Sequence, residues 1–435
     1  MSAQSSCEEM YLFQDLLRNN NINKIDHRTK ECDFRYQNDF PVIPSFDIKI
    51  SDIPQMDNII IIGSNISKEF PILSVYLREA RNNNSTNIFS ISTYEFEENF
   101  PLTRYEVLNR IELQEFFSDI DNQEHLKIDK DKKNLVILGP SISYLTNYSN
   151  ILNNVSHFAK TINANLSLLG DQANTSGAWA MGLVPHRLPG GKKVNHSSKN
   201  YDFINEDDDL LIIYNLEPEY DFSDDNKIIE KLKKSKVNIF FSSYLTESIR
   251  KHAHIVFPLA TPFESSGSYI NTNKVLQHFT NVVQPIGDSK EGVDLLLYLQ
   301  NKLGVSLTID NLNKKIKSIL SNIDIQNNYV QIKNLDKKTE SSSIEKIIIR
   351  NPNSSNPTLR RCSSLLKTHD NDDYLSIPSD KNLPSDNKIT FNENKSKLKL
   401  SIKQKVHNKP SNTILVNIGG THKQKIGAYS TQVDF

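Results

Sequence analysis

Short apolar runs alternate with longer stretches of helical periodicity from the N-terminus to about residue 300, and this alternation decides what the chain can fold into. "DNIIIIGSN" (57–65) is a run of β-branched residues ending in glycine, and "SKEFPILSVYLREARNN" (67–83) follows with helical spacing. Ser67 stands where a helix N-cap is expected. "TNIFSIS" (86–92), "KKNLVILGPSI" (132–142) and "ANLSLLGD" (164–171) read as further strands, with "NILNNVSHFAKTIN" (150–163) a helix between the last two. From 209 to 260 strand, helix, strand, helix, strand recur, and "KEGVDLLLYLQNKLG" (290–304) closes the series as a helix with a glycine stop. Strands of four to six residues separated by helices predict an α/β fold of mostly parallel sheets flanked by helices. Ligand sites in such sheets gather at the carboxyl ends of strands. "GSN" (63–65), "GPS" (139–141) and "SSY" (242–244) occupy those ends.

Three segments are expected. Residues 1–304 form the α/β domain. Residues 305–385 are polar and turn-rich and read as a linker or surface extension. Residues 386–435 alternate apolar and polar positions and read as a small β unit, with antiparallel pairing the natural arrangement.

Function classes are narrowed mainly by what is missing. The 51 basic and 52 acidic residues nearly cancel, so charge offers no general attraction to nucleic acid or anionic lipid. Cys7, Cys32 and Cys362 are too far apart for a cluster or zinc half-site and read as reduced cytosolic thiols. His27, His157, His186, His196, His252, His254 and His278 show no metal-ligand spacing. "HRLPGGKKVNH" (186–196) reads as a solvated basic loop. The N-terminus lacks the pattern of a signal or transit peptide, and no apolar run reaches the ~20 residues of a membrane span.

Two stretches leave their roles open. "DQANTSGAWAMGLVPHRLPGG" (171–191) crowds glycine and proline around the single tryptophan, Trp179. Such backbone either wraps a large planar ligand or packs as a loop crossing the sheet, with Trp179 as its anchor. In "HIVFPLATPFESSGSYINTNKVLQHF" (254–279), Glu264 and Asn271 either bind a polar head group or form turns of a hairpin.

A family resemblance extends the reading. "SSCEEMYLFQDLLRNNNINKIDHR" (5–28), "MDNIIIIGSNISKEFPILSVYLREA" (56–80), the tryptophan loop, "HIVFPLATPFESSGSYINTNKVLQ" and "LRRCSSLLKTHD" (359–370) occur in the order of the large iron–sulfur subunit of NADH-quinone oxidoreductase, respiratory complex I. The chain resembles the C-terminal, molybdopterin oxidoreductase-like part of that subunit. The resemblance implies a molybdopterin oxidoreductase-like fold whose glycine-rich loop keeps the shape of a cofactor site and serves packing. It implies a start downstream of the cluster-bearing domains, as in a split or truncated gene. No iron–sulfur cluster or other cofactor is expected in this chain, and no catalytic, cofactor-binding or metal-binding residue is assigned. The expected role is structural, in the peripheral arm at the cytoplasmic face of the bacterial inner membrane. Its partners would be other peripheral-arm subunits, including a separate cluster-bearing chain, with no nucleic acid and no membrane span of its own. A stand-alone molybdopterin-dependent oxidoreductase is the alternative, and a decaying gene product a third reading.

Overall fold

The computed structural model describes residues 1–119, 126–194, 203–323, 328–333, 335, 344–350, 352–368 and the strand segments 374–378, 392–393, 396–397, 405–407, 413–418 and 430–433. Helix α1 (Cys7–Asn19) opens the chain under a complete capping box, in which Ser6 and Glu9 satisfy each other's main-chain amides. Strand β1 (Asn58–Ile62) follows, with all five residues buried. Pro71 cannot continue a helix that begins near Ser67, because it has no amide hydrogen and needs an extended residue before it. The chain therefore makes one turn, α2 (Ile66–Glu69), breaks at Phe70 and restarts with Pro71 as the first residue of α3 (Pro71–Asn84). Asn65 caps α2 in place of Ser67.

Strands β2 (Asn87–Ser92) and β3 (Arg104–Val107) lead to helix α4 (Arg110–Ser118). Strand β4 (Asn134–Leu138), helix α5 (Tyr148–Thr161) and strand β5 (Ala164–Leu168) complete a parallel sheet of order β3-β2-β1-β4-β5. Its order reverses between β1 and β4, and the crevice outside their carboxyl ends is where open α/β sheets take ligands. Each face is covered by its own apolar cluster: Ile60, Ile62 and Val136 against α4 and α5, Ile59, Ile61 and Ile137 against α3.

Helix α6 (Thr175–Ala180) then crosses to a second parallel sheet, β6 (Leu210–Tyr214), β7 (Val237–Ser242) and β8 (Ile255–Pro258). Helices α7 (Asp225–Lys234) and α8 (Glu247–His252) connect these strands. A hairpin of β9 (Gly267–Ile270) and β10 (Leu276–Phe279) and helix α9 (Gly292–Lys302) follow. The two parallel sheets bear out the expected fold class.

The stretch from 305 to 385 carries more structure than its polar texture suggests. Helix α10 (Ile309–Ser321) buries Leu312 and Ile316 in the same cluster as α1. Strand Ile344–Arg350 lies inside a five-stranded sheet, parallel to Thr413–Ile418 and antiparallel to Ser430–Val433. Tyr374–Pro378 pairs antiparallel with Thr413–Ile418 and parallel with Lys405–His407, so this sheet is mixed. It takes two strands from upstream of residue 386, and Ile347 on one of them packs with the buried Leu415. Residues 398–404 and 419–429 of the expected β unit lie outside the described residues.

Candidate functional site

The carboxyl ends of β2, β4 and β5 open onto a cavity of about 540 Å³. Its floor is the turns after those strands: Ser141, Gly170, Asp171 and Gln172. Its roof comes from the C-terminal sheet and the segment after it, through Ile347, Ile348, Ser354, Ser355 and Asn356. "GPS" lines it through Pro140 and Ser141, and "GSN" meets "GPS" beside it without entering the lining. "SSY" does not: it lies on the second sheet, where Ser242 Oγ donates to Tyr244 O at 2.9 Å.

The turn after β1 leads directly into the start of α2, whose free amides this chain satisfies with its own side chains. Gly63 adopts φ 66°, and a Cβ there would overlap Ile142. Ser141 Oγ donates to the Gly63 carbonyl at 2.6 Å, which draws the ends of β1 and β4 together. The amides of Ile66 and Ser67, which a ligand oxyanion would need, donate at 2.8 Å each to the two carboxylate oxygens of Glu98. Ser67 Oγ donates to the same carboxylate. Asn65 accepts from the amide of Lys68, and Ser64 Oγ donates to Glu69 at 2.6 Å. At the end of β5 the amide of Gln172 donates to Thr175 Oγ1.

The titratable groups around the cavity are mostly carboxyls. Glu69 and Asp171 line it, with Glu31 in the adjoining crevice and Glu98 behind Glu69. Burial, with Glu98 as a neighbouring like charge, pushes the Glu69 carboxyl up to about 7 against the pull of the Ser64 hydrogen bond. Burial likewise lifts Glu31 to about 8, against the attraction of Arg28. Lys30 is the lysine of the lining, 3.8 Å from Asp171. Pterin cofactors of this fold class carry phosphate, and an anion held here would disfavour ionisation of these carboxyls further and would find the amide donors after β1 already taken by Glu98. The residues present do not fit such a group.

The tryptophan loop resolves as packing. Ala178, Trp179, Ala180, Met181, Leu183 and Val184 are all buried in one cluster with α1. A Cβ on Gly177 would overlap Asn174 Oδ1, which accepts from the amide of Ile270 at 2.8 Å while its Nδ2 donates to Ser5 O. Asn174 thereby ties the loop to the N-terminal segment and to β9. Trp179 sits edge-on between His27 and His186, with the Arg28 guanidinium 5.5 Å from its ring centre. His186 is not on a solvated loop: it is buried with both ring nitrogens unbonded, and burial beside Arg28 and Arg187 lowers its pKa to about 2. His196 lies outside the described residues.

Glu264 and Asn271 are turn residues. Glu264 accepts from the amide and hydroxyl of Thr261, and Asn271 accepts from the amide of Val275 to close the β9–β10 hairpin. Cys7 is buried beside Asn174, and burial is the main cause that holds its thiol up at about 12. Among the described residues no group of histidine, cysteine and carboxylate side chains has the arrangement of a metal site. No described helix is long and apolar enough to cross a membrane.

Sequence reasoning missed the lock that holds the roof in place. Arg360 is fully buried and donates to Glu217 at 2.8 Å, Asp221 at 2.5 Å and Ser354 O at 2.9 Å, with its guanidinium over the Tyr220 ring. Arg361 reaches the other Glu217 oxygen at 2.9 Å and covers the Tyr244 ring. Gln4, at the other end of the chain, donates to Ser355 O and accepts from Asn356. The paired arginines in "LRRC" were the available signal, but arginine pairs of this kind usually lie on the surface.

Residues 1–302 match the molybdopterin oxidoreductase family. The probable oxidoreductase YjgC of Bacillus subtilis is 23% identical across 70% of this chain. The NADPH-Fe(3+) oxidoreductase subunit alpha of Geobacter sulfurreducens is 26% identical across 31%. The chain spans 39% and 18% of the lengths of these two relatives. A chain of the formyltransferase/hydrolase complex of Methylorubrum extorquens superposes with a TM-score of 0.46 at 11% identity, over 69% of this chain and 90% of that one. With the family match covering more than half of its length, this chain belongs to the molybdopterin oxidoreductase family.

Proposed function

We propose that this chain is a cofactor-free member of its family that serves as a structural component of a respiratory NADH-quinone oxidoreductase, the part corresponding to the molybdopterin oxidoreductase-like portion of the large iron–sulfur subunit. The observation that carries the cofactor-free reading is the Glu98 carboxylate, seated on the Ile66 and Ser67 amides at the end of β1. A chain that supplies its own anion there keeps the family's architecture without needing the ligand to hold it. The dispersed cysteines agree with a role outside the electron path, since four thiolates cannot converge on one cluster. Electrons would then pass through clusters on a separate polypeptide. In this reading the chain sits in the peripheral arm at the cytoplasmic face of the membrane, among flavin- and cluster-bearing subunits.

Affinity purification of the tagged chain from its native cells, followed by mass spectrometry, tests the assembly. Stoichiometric recovery of flavin- and cluster-bearing partners is the expected result, and a chain that sediments alone overturns it. Elemental analysis of the same material tests the cofactor-free reading. One molybdenum or tungsten per chain would establish the stand-alone enzyme instead, a reading favoured only by the oxidoreductase names of the two relatives.

A further inference from the structure

Among the described residues, the second parallel sheet has an edge that no strand pairs with, and it lies inside a groove. Strand β6, among these described residues, pairs with β7 on one side only. The amide of Asn215 donates to Phe241 O at 2.8 Å, so the odd-numbered residues of this strand point their main-chain groups toward β7. Tyr214 points the other way, and its carbonyl accepts from the amide of Ser2 at 2.9 Å. Main-chain direction alternates along a strand, so the N–H and C=O of Leu210 and Ile212 face the same open side as Tyr214. No hydrogen bond between these groups and any other described residue occurs on that side. The edge forms one wall of a groove of about 410 Å³, and Asn21–Asp26 face it from the opposite wall. Phe13 and Leu17 of α1 close one flank, and Leu216 and Phe222 close the other.

We propose that this groove takes an extended apolar peptide segment from a partner polypeptide, added as a fourth strand to the second sheet. The chemistry of the walls selects that occupant. A small apolar molecule would cover the flanks and leave two pairs of main-chain groups unbonded, whereas a strand satisfies them and places alternate side chains against the two apolar flanks. The edge from Leu210 to Tyr214 spans about 13 Å, so the insertion covers about three or four residues of the partner. Ser2 already makes the first bond of this pairing at the Tyr214 end, and Met1 lines the groove beyond it. The identity of the partner as the cluster-bearing subunit rests on the proposed function; the groove and the kind of occupant do not.

Two experiments separate these parts. In the first, amide hydrogen exchange is measured on the chain alone and in the affinity-purified complex. The amides of Leu210 and Ile212 should exchange at least about tenfold more slowly in the complex. Equal exchange in the two states overturns the proposal, as does protection already complete in the chain alone, which would mean that its own residues fill the groove. In the second, which needs no partner, six residues of alternating Thr and Val are fused before Met1. The fusion should protect the same two amides at least about tenfold, while a Gly-Ser extension of equal length should not. Ile212→Pro removes one groove-facing N–H and leaves the β7 ladder intact, so in a folded I212P chain the remaining Leu210 amide should lose its protection. Absence of protection by the fused strand, or protection that survives I212P, rules out strand addition even if the respiratory assembly is established.

Discussion

Replacing Arg360 with methionine tests how the roof of the cavity is held. Methionine keeps the apolar stem against Tyr220 and removes the guanidinium. Glu217 and Asp221 are then left with side chains 1% and 4% exposed and without their main cation. Breaking a buried pair by removing one partner costs about 3–5 kcal/mol, because the remaining charge stays desolvated. Arg361 still reaches one Glu217 oxygen, which places the expected loss toward the lower end of that range. A loss of about 3 kcal/mol raises the population with segment 352–368 detached by about a hundredfold. Limited trypsin digestion should therefore cleave that segment much faster in R360M, while the two parallel sheets remain resistant. Burial raises the Glu217 pKa even with Arg360 in place. A raised folded-state pKa means stability is greatest below the unfolded value, near about 4.3, and falls as pH rises through the folded one. The excess cleavage should accordingly be larger at pH 8 than at pH 5, and Glu217→Gln introduced into R360M should reduce it. Cleavage at the wild-type rate at both pH values would refute the claim that this ion pair holds the roof.

Three further outcomes follow from the site. Glu69 has its carboxyl raised to about 7, so Glu69→Gln should gain stability relative to wild type as pH rises from the unfolded carboxyl's range through 7, and level off above it; melting curves from pH 4 to 8 check the sign. His186 is held at about 2 with both ring nitrogens unbonded, so His186→Phe should keep the ring contact with Trp179 and stabilise by about 1–3 kcal/mol. That gain should grow below about pH 6.5, where the unfolded imidazole takes a proton and the buried one does not; urea unfolding at pH 5 and 8 measures it. Gly177→Ala should displace Asn174 and cost about 1–3 kcal/mol, read as a lower midpoint in the same unfolding assay.

The parallel sheets are legible in the sequence because runs such as "NIIII" and "NLVIL" are apolar on both faces, the signature of a strand covered from two sides. Strand β3 and helix α4 escape the same reading: "RYEV" is half-exposed at the sheet edge, and only three of the nine α4 residues are buried. Helix α10 is hard to see because Leu312 and Ile316 form a thin apolar stripe in a stretch rich in Asn and Lys. Composition leaves the tryptophan loop open, since glycine permits close approach to a ligand and to neighbouring backbone alike. What decides between them is Asn174, which joins the loop to two distant segments, and no local pattern announces such a junction. The role of Glu98 is equally hidden, because its partners Ile66 and Ser67 lie 32 and 31 residues upstream.

The bonds from Gln4 to Ser355 and Asn356 span most of the chain, and they impose an order on synthesis. At about 5–20 residues per second, roughly 20–70 s separate the emergence of Gln4 from that of its partners. For the last roughly 7–30 s before Arg360 emerges, Glu217 and Asp221 wait in a half-built interior without the arginines that neutralise them. A ribosome that stops before codon 360 therefore releases a product whose two sheets are already encoded but whose acidic pocket cannot close, and quality control would meet it as an open, protease-sensitive form.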